Sequence, residues 1–220
     1  MDEEGLVMTF LLYPEVMPQK PGPESRSNES HETSALWLRA ARRSAGLTQT
    51  QLAERLGVDQ SQVARAESGR VELSAANLDR YLRACRFRLV AVPTVRATAV
   101  ELAGEIRQAL KVGESENAVR LLIQLSDNLV SEELSYATTL VTTPADTGDE
   151  RFNAAIAGIA EWRLSQRGLP IPAWIEKTGA LADKWWVDEF GVGEASIVDA
   201  TPEPLRRRNV VIDQIALESV

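Results

Sequence analysis

The chain has 220 residues, a quarter of them charged, with 24 Lys and Arg against 32 Asp and Glu, for a net charge of −8. One Cys and one His exclude an internal disulfide, zinc sites of the usual Cys/His kind and a catalytic triad resting on a well-placed His. No run of 18 apolar residues reads as a membrane-spanning helix.

The charge is unevenly spread. Residues 1–33 hold two basic and seven acidic groups, residues 34–94 ten basic and five acidic, and residues 95–220 twelve basic and twenty acidic. A basic module of DNA-binding size therefore lies between acidic flanks. The acidic remainder repels phosphates and suits a basic protein partner better.

In residues 1–33, the apolar run Leu6–Tyr13 follows acids rather than Lys or Arg, and no small-residue cleavage site follows it, so it does not read as a signal peptide. It is either an arm or strand that packs on the body, or the product of a start placed upstream of Met8 or Met17. The protein is expected in the cytoplasm, at the nucleoid. The following stretch, with Pro18, Pro21 and Pro23 among Ser, Glu and Asn, reads as a disordered tail or linker. A first helix is predicted over 34–45, with Ala35, Leu38 and Ala41 inward and Trp37 beside them. Arg39 and Arg43 are expected to point out, Arg43 either towards a phosphate or into solvent.

Residues 47–69, LTQTQLAERLGVDQSQVARAESG, read as two short helices joined by a tight turn. Thr48 opens the first, since its hydroxyl can accept from the free N–H groups of a first turn. Gly57 ends it, because Gly reverses the chain without a Cβ penalty. Asp59 opens the second helix, Gln60 to Ser68. Wound at 100° per residue, that helix gathers Gln60, Ser61, Ala64, Arg65 and Ser68 on one arc, with Val63 and Ala66 opposite and Glu67 at the edge. Gln takes adenine bidentately, Arg takes guanine, and Ser takes either. Ala53, small and mid-helix, allows a close crossing.

The stretch resembles the helix-turn-helix of the Cro/cI-like (XRE) repressor family, through Thr48, Gln49, Leu52, Ala53, Leu56, Gly57, Val58, Gln60, Ser61, Val63, Arg65, Glu67 and Gly69, and the likeness runs from about Leu36 to Leu89. The resemblance implies that Gln49 and nearby backbone amides hold a phosphate, and that Gln60, Ser61 and Arg65, with Ala64 between them, face the bases. It also implies a structural ion pair between Arg42 and Glu67. The bland alternative is a helical hairpin that meets no nucleic acid.

Beyond it, Gly69 and Arg70 turn the chain towards the DNA backbone, and Ser74 caps a helix from Ala75 to Cys85. Arg70 and the helix end near Asn77 are candidate phosphate contacts. Cys85 reads as a small buried hydrophobe. Phe87–Pro93 alternates as a short strand, expected to pair across a homodimer. One recognition helix reads about four base pairs, so two copies on a palindromic operator are expected.

Residues 97–167 read as helical. Stripes lie at Leu102, Ile106 and Leu110, at Ala118, Leu122, Leu125 and Leu129, and at Phe152, Ile156, Ile159 and Trp162. A further helix is expected from Ser131 through Leu140. In the last third, Trp174, Trp185, Trp186 and Phe190 crowd among acids, either as partner-binding anchors or as a small core. Ala195–Val198 and Asn209–Ile212 are expected to pair as strands, with the run Arg206–Arg208 between them as a solvated helix end or a binding patch.

The expected fold is mainly α. It comprises an amino-terminal tail (1–33), a lambda-repressor-like five-helix helix-turn-helix domain (34–94) and an acidic helical carboxy-terminal domain with a few short strands (95–220). The expected function is sequence-specific transcriptional repression without a cofactor, metal or catalytic residue. The layout resembles, more weakly, the antitoxins of bacterial toxin–antitoxin operons, which would hold a cognate toxin through the carboxy-terminal domain. The alternative is a plain regulator whose carboxy-terminal domain senses a small ligand or only dimerises.

Overall fold

A computed structural model describes the backbone of residues 23–143, 145–187 and 195–218, with side chains from Thr33 onward. The apolar run Leu6–Tyr13 and Phe190 lie outside the described residues.

The first helix, α1 (Pro23–Ser44), begins eleven residues before Ser34, inside the stretch expected to be a linker. Pro23 suits that start, because a helix leaves its first N–H unbonded in any case. α2 (Gln49–Leu56) is bounded as its sequence dictates. The Thr48 hydroxyl accepts from Gln51 N at 3.1 Å, the Gln51 amide oxygen accepts from Thr48 N at 2.9 Å, and Gly57 closes the helix at φ 66°. α3 (Gln60–Glu67) comes after a three-residue turn. Asp59 occupies its N-cap position but makes no side-chain capping bond. α4 (Ala75–Ala84) is capped by Ser74, whose hydroxyl accepts from Asn77 N at 3.3 Å.

These four helices enclose one core. Leu38, Leu52, Val63, Leu78 and Leu82 converge there, and Cys85 is buried beside them. Ala53 is buried where α2 meets α3. Two arginines reach across to carbonyls that helix ends leave open: Arg80 donates to Leu56 O at 2.6 Å and Arg55 to Ala84 O at 3.0 Å.

The segment after α4 is not a strand. Phe87 packs on the first core, while Leu89, Val90 and Val95 are exposed and the chain runs irregularly to Thr98. Among the described residues no neighbouring strand completes its hydrogen bonds, so the alternation alone does not make it a strand.

The second core belongs to residues 97–217. α5 (Ala99–Lys111) opens with a capping box between Thr98 and Glu101, and Gly113 at φ 81° turns it into α6 (Ser115–Ser131). α5, the fifth helix, also packs on α1, where the missing Cβ of Gly104 makes room for Leu36. Ser131 closes α6 rather than opening a new helix. The carbonyls at that end receive Arg167, which donates to Leu129 O and, at 2.6 Å, to Glu132 O. The chain then makes a short α7 (Leu134–Ala137) and a 3-10 turn over Thr138–Val141.

α8 (Glu150–Gln166) is the centre of the body. It is buried continuously from Ala154 to Leu164, Glu161 and Arg163 included. α6 packs on one side and α11 (Glu203–Arg206) on another, directly over Gly158. α9 (Ala173–Lys177) packs on α8 and buries Ile175, while 195–198 falls in α10 (Ala195–Ala200) and is helical, not a strand. The sheet is a two-residue parallel ladder, β1 (Trp185–Trp186) on β2 (Val210–Val211), with Trp185 opposite Val210 and Trp186 opposite Val211. α12 (Gln214–Leu217) ends the described chain.

Most polar groups inside the body are bonded, while Arg208 Nε is buried without a hydrogen-bond partner among the described residues. Arg163 donates to Ser126 Oγ and to Leu217 O, both at 2.8 Å, and its guanidinium lies 3.9 Å from the Trp162 ring centre. Arg208 is 2% exposed and pairs with Glu161 at 2.7 Å, and Arg207 bonds the same carboxylate. Two members of the arginine run thus neutralise a buried acid rather than solvating a helix end; Arg206 is exposed.

Candidate nucleic-acid interface

The exposed arc of α3 is built from behind. Glu67, 2% exposed, accepts two bonds from Arg42 of α1, from Nε at 2.5 Å and Nη2 at 3.0 Å, and Arg39 donates to its backbone carbonyl. Arg42 also donates to Leu47 O at 2.7 Å, so α1 is tied to both ends of the two-helix unit. Both carboxylate oxygens of Glu67 act as acceptors here.

That acceptor sets the orientation of the next two side chains. Gln49 must present its amide NH2 to Glu67, which it does at 2.9 Å. Its carbonyl end is thereby turned to Gln60, whose Nε2 donates to it at 2.7 Å. Gln60 keeps its own carbonyl oxygen and one N–H, the pair needed to receive adenine N6 and donate to N7. The relay runs from the buried side of α1 to the first residue of α3.

The other predicted residues differ in how free they are. Gln60, Ser61 and Arg65 are exposed on one side of α3, and Ala64 is half-buried between them, while Val63 and Ala66 are buried opposite. Arg65 Nε donates only to Ser61 O, at 3.3 Å, within its own helix, which leaves the rest of its fork for a ligand. Gln49 is half-buried, with both ends of its amide engaged. Arg70 and Asn77 are exposed beyond α3 and at the start of α4. Arg43, expected to reach a phosphate or solvent, is bonded instead to Asp146 of the body, and Arg107 lies 3.5 Å from the same carboxylate.

Amide, hydroxyl and guanidinium groups thus face solvent together on a short helix behind a tight turn. Residues 38–91 match the family model described as Helix-turn-helix. This segment is a helix-turn-helix domain. No curated protein and no solved structure matches the chain. The helix-turn-helix supports a DNA-binding transcriptional regulator that engages double-stranded DNA, and α3 is the second helix of the motif.

The aromatic cluster of the body is drawn inward where it is described. Trp174 donates its indole N–H to Val141 O at 2.7 Å, and Trp185 packs on the second core with its ring 4.9 Å from Phe152. Trp186 is half-buried. Sequence reasoning places Glu67 at the rim of α3 and misses its bond to Gln49. The signal is available in the resemblance, which pairs it with Arg42. Among the described residues no three His, Cys, Asp or Glu converge on a metal-sized site, and no helix is long and apolar enough to cross a membrane.

Proposed function

We propose that the protein is a repressor that binds a palindromic operator as a homodimer and, as an antitoxin, holds a basic toxin on its acidic carboxy-terminal body. The observation that supports the DNA half is the Glu67–Gln49–Gln60 relay, which holds the Gln60 amide in one orientation, the one that suits adenine. Ser61 and Arg65 read beside it, and Ala64 offers an apolar contact to a thymine methyl. Gln49 with the amino end of α2, Arg70 and Asn77 with the amino end of α4, and Arg43 once released from Asp146 sit at phosphates, which fix register but carry no sequence.

The toxin half rests on charge. Residues 95–220 carry twenty acids against twelve bases, and a partner acting on nucleic acid presents a basic cleft. Trp174, Trp185, Trp186 and Phe190 border that surface in sequence, and Trp186 is the described member least committed to the core. Affinity capture with the full chain from its native host tests this half. Recovery of one stoichiometric basic protein that dissociates at high salt is expected; recovery of no protein partner at low salt contradicts it. Repression is tested by a reporter driven from the chain's own upstream region, which should fall when the protein is supplied and recover with Arg65→Ala.

A further inference from the structure

A cleft of about 500 Å³ lies between the helix-turn-helix unit and the body. One wall belongs to each: Trp37 of α1 and Leu82 of α4 on one side, Val100 of α5 and Leu140 of the 3-10 turn on the other. The irregular connector forms the outer edge, where Leu89 is 38% and Val90 70% exposed. The volume lies within the roughly 300–1,000 Å³ of small-molecule sites, which favour domain junctions and apolar walls with few polar groups.

Its polar groups have one sign left over. Arg88 and Arg96 line the cleft. Arg96 is loosely held, at 3.5 Å from Ser131 O and 3.9 Å from Glu132. Two arginines stand against one acid among the described lining residues, which leaves the cleft net positive, and the acids nearby also accept hydrogen bonds from other groups. Glu101, the one acid among the described lining residues, accepts from Thr98 N at 2.7 Å and its hydroxyl at 2.8 Å. Glu132 accepts from Thr94 and from Glu133 N, and Asp79, the acid beside Arg88, accepts from Arg83 at 2.6 Å.

We propose that this cleft binds a small amphipathic carboxylate, its apolar chain between the Trp37 and Leu140 walls and its carboxylate on Arg88 and Arg96. Arg forks pair carboxylates bidentately, and an apolar wall takes the tail. Because the two walls belong to different units, the ligand fixes the position of one against the other. The site is independent of any toxin.

Isothermal titration of the full chain with decanoate, decanol and decyltrimethylammonium tests it, with sedimentation velocity on the same samples. Saturable one-to-one binding of decanoate is expected, with decanol about tenfold weaker, the loss of one charge-assisted contact, and no binding of the cation. Arg88→Gln with Arg96→Gln should bring decanoate down to the decanol level. Arg88→Gln alone, at an exposed side chain, gives a partial loss without risk to folding. Three results overturn the proposal: no saturable decanoate binding below its micellar range; equal binding of decanoate and decanol, indifferent to both variants; or decanoate splitting a dimer, which would make a second copy the occupant.

Discussion

Glu67 carries two burdens at once, which makes it the most informative single residue. Its charge holds Arg42, and its acceptor oxygens orient Gln49 and through it Gln60. Removing one partner of a buried pair leaves the other uncompensated, so Glu67→Ala should destabilise the protein by about 3–5 kcal/mol in urea unfolding. Arg65→Ala, at an exposed side chain, should leave stability unchanged, cost about 1–3 kcal/mol on the operator and relax preference at one base position. Arg70→Ala should weaken all sequences alike. Cys85 lies in the same core. Burial, then the charge of Glu67, pushes its thiol up to about 11. At pH 8 its thiolate is then about a thousandth of the population, so iodoacetamide should label it only after denaturation. Rapid native labelling would contradict the packing of α4.

At the scale of elements, α8 and its cap are the parts most open to test. Asp149 accepts from Arg151 N at 2.8 Å, and the hydrogen bond from the Arg151 side chain holds its carboxyl below the ordinary carboxylate range. A depressed acid contributes stability that is complete above its unfolded pKa and is lost as pH falls through the folded one. Asp149→Ala should therefore cost about 1 kcal/mol at neutral pH and flatten the acid limb of a stability–pH curve below about pH 4. Gly158→Ala probes the other side of α8. The new Cβ would meet Leu205 at 2.8 Å, with the Leu205 backbone at 3.1 Å, so the helix cannot relieve it by a rotamer change alone. Unfolding should be easier by about 1–3 kcal/mol, although Ala is the better helix former.

The same elements divide by how legible they are in sequence. α2 and α3 are punctuated locally: Thr48, Gly57 and the split of α3 into an apolar and a polar side are sufficient to place them. α5, the start of α6 and α8 follow from their apolar stripes. The failures are non-local. Ser131 looks like a cap, but the end of α6 is satisfied by Arg167, far along the chain. The partner of Val210–Val211 is Trp185–Trp186 rather than the nearer apolar run 195–198, because a two-residue ladder leaves no periodic signature. Arg208 reads as surface until Glu161 is placed beside it. Pro23 reads as a breaker, yet it stands where a helix tolerates it.

At the scale of the whole molecule, the two cores share α1. Its inner side packs on α3 and α4, Leu36 fills the space over Gly104, and Arg43 meets Asp146. Arg43 is held by the body here, and the proposed function has it exchange that contact for a phosphate. An exposed pair contributes about 0–1 kcal/mol, so the exchange is nearly free, and Asp146→Asn should raise affinity for all duplexes slightly rather than alter base preference. With four to six phosphates neutralised, log K for DNA should fall against log salt with a slope of roughly −4 to −5. A slope near zero would leave the net +5 of residues 34–94 without a role on DNA.

The most direct measurement is selection of bound sites from a randomised duplex pool at low ionic strength, run with the full chain and with Arg65→Ala and Arg70→Ala. Enrichment of one palindromic sequence is predicted, with Arg65→Ala degrading a symmetric pair of positions and Arg70→Ala lowering recovery without changing the sequence. Failure to enrich any duplex, or identical behaviour of the two variants, would contradict base reading by the exposed side of α3.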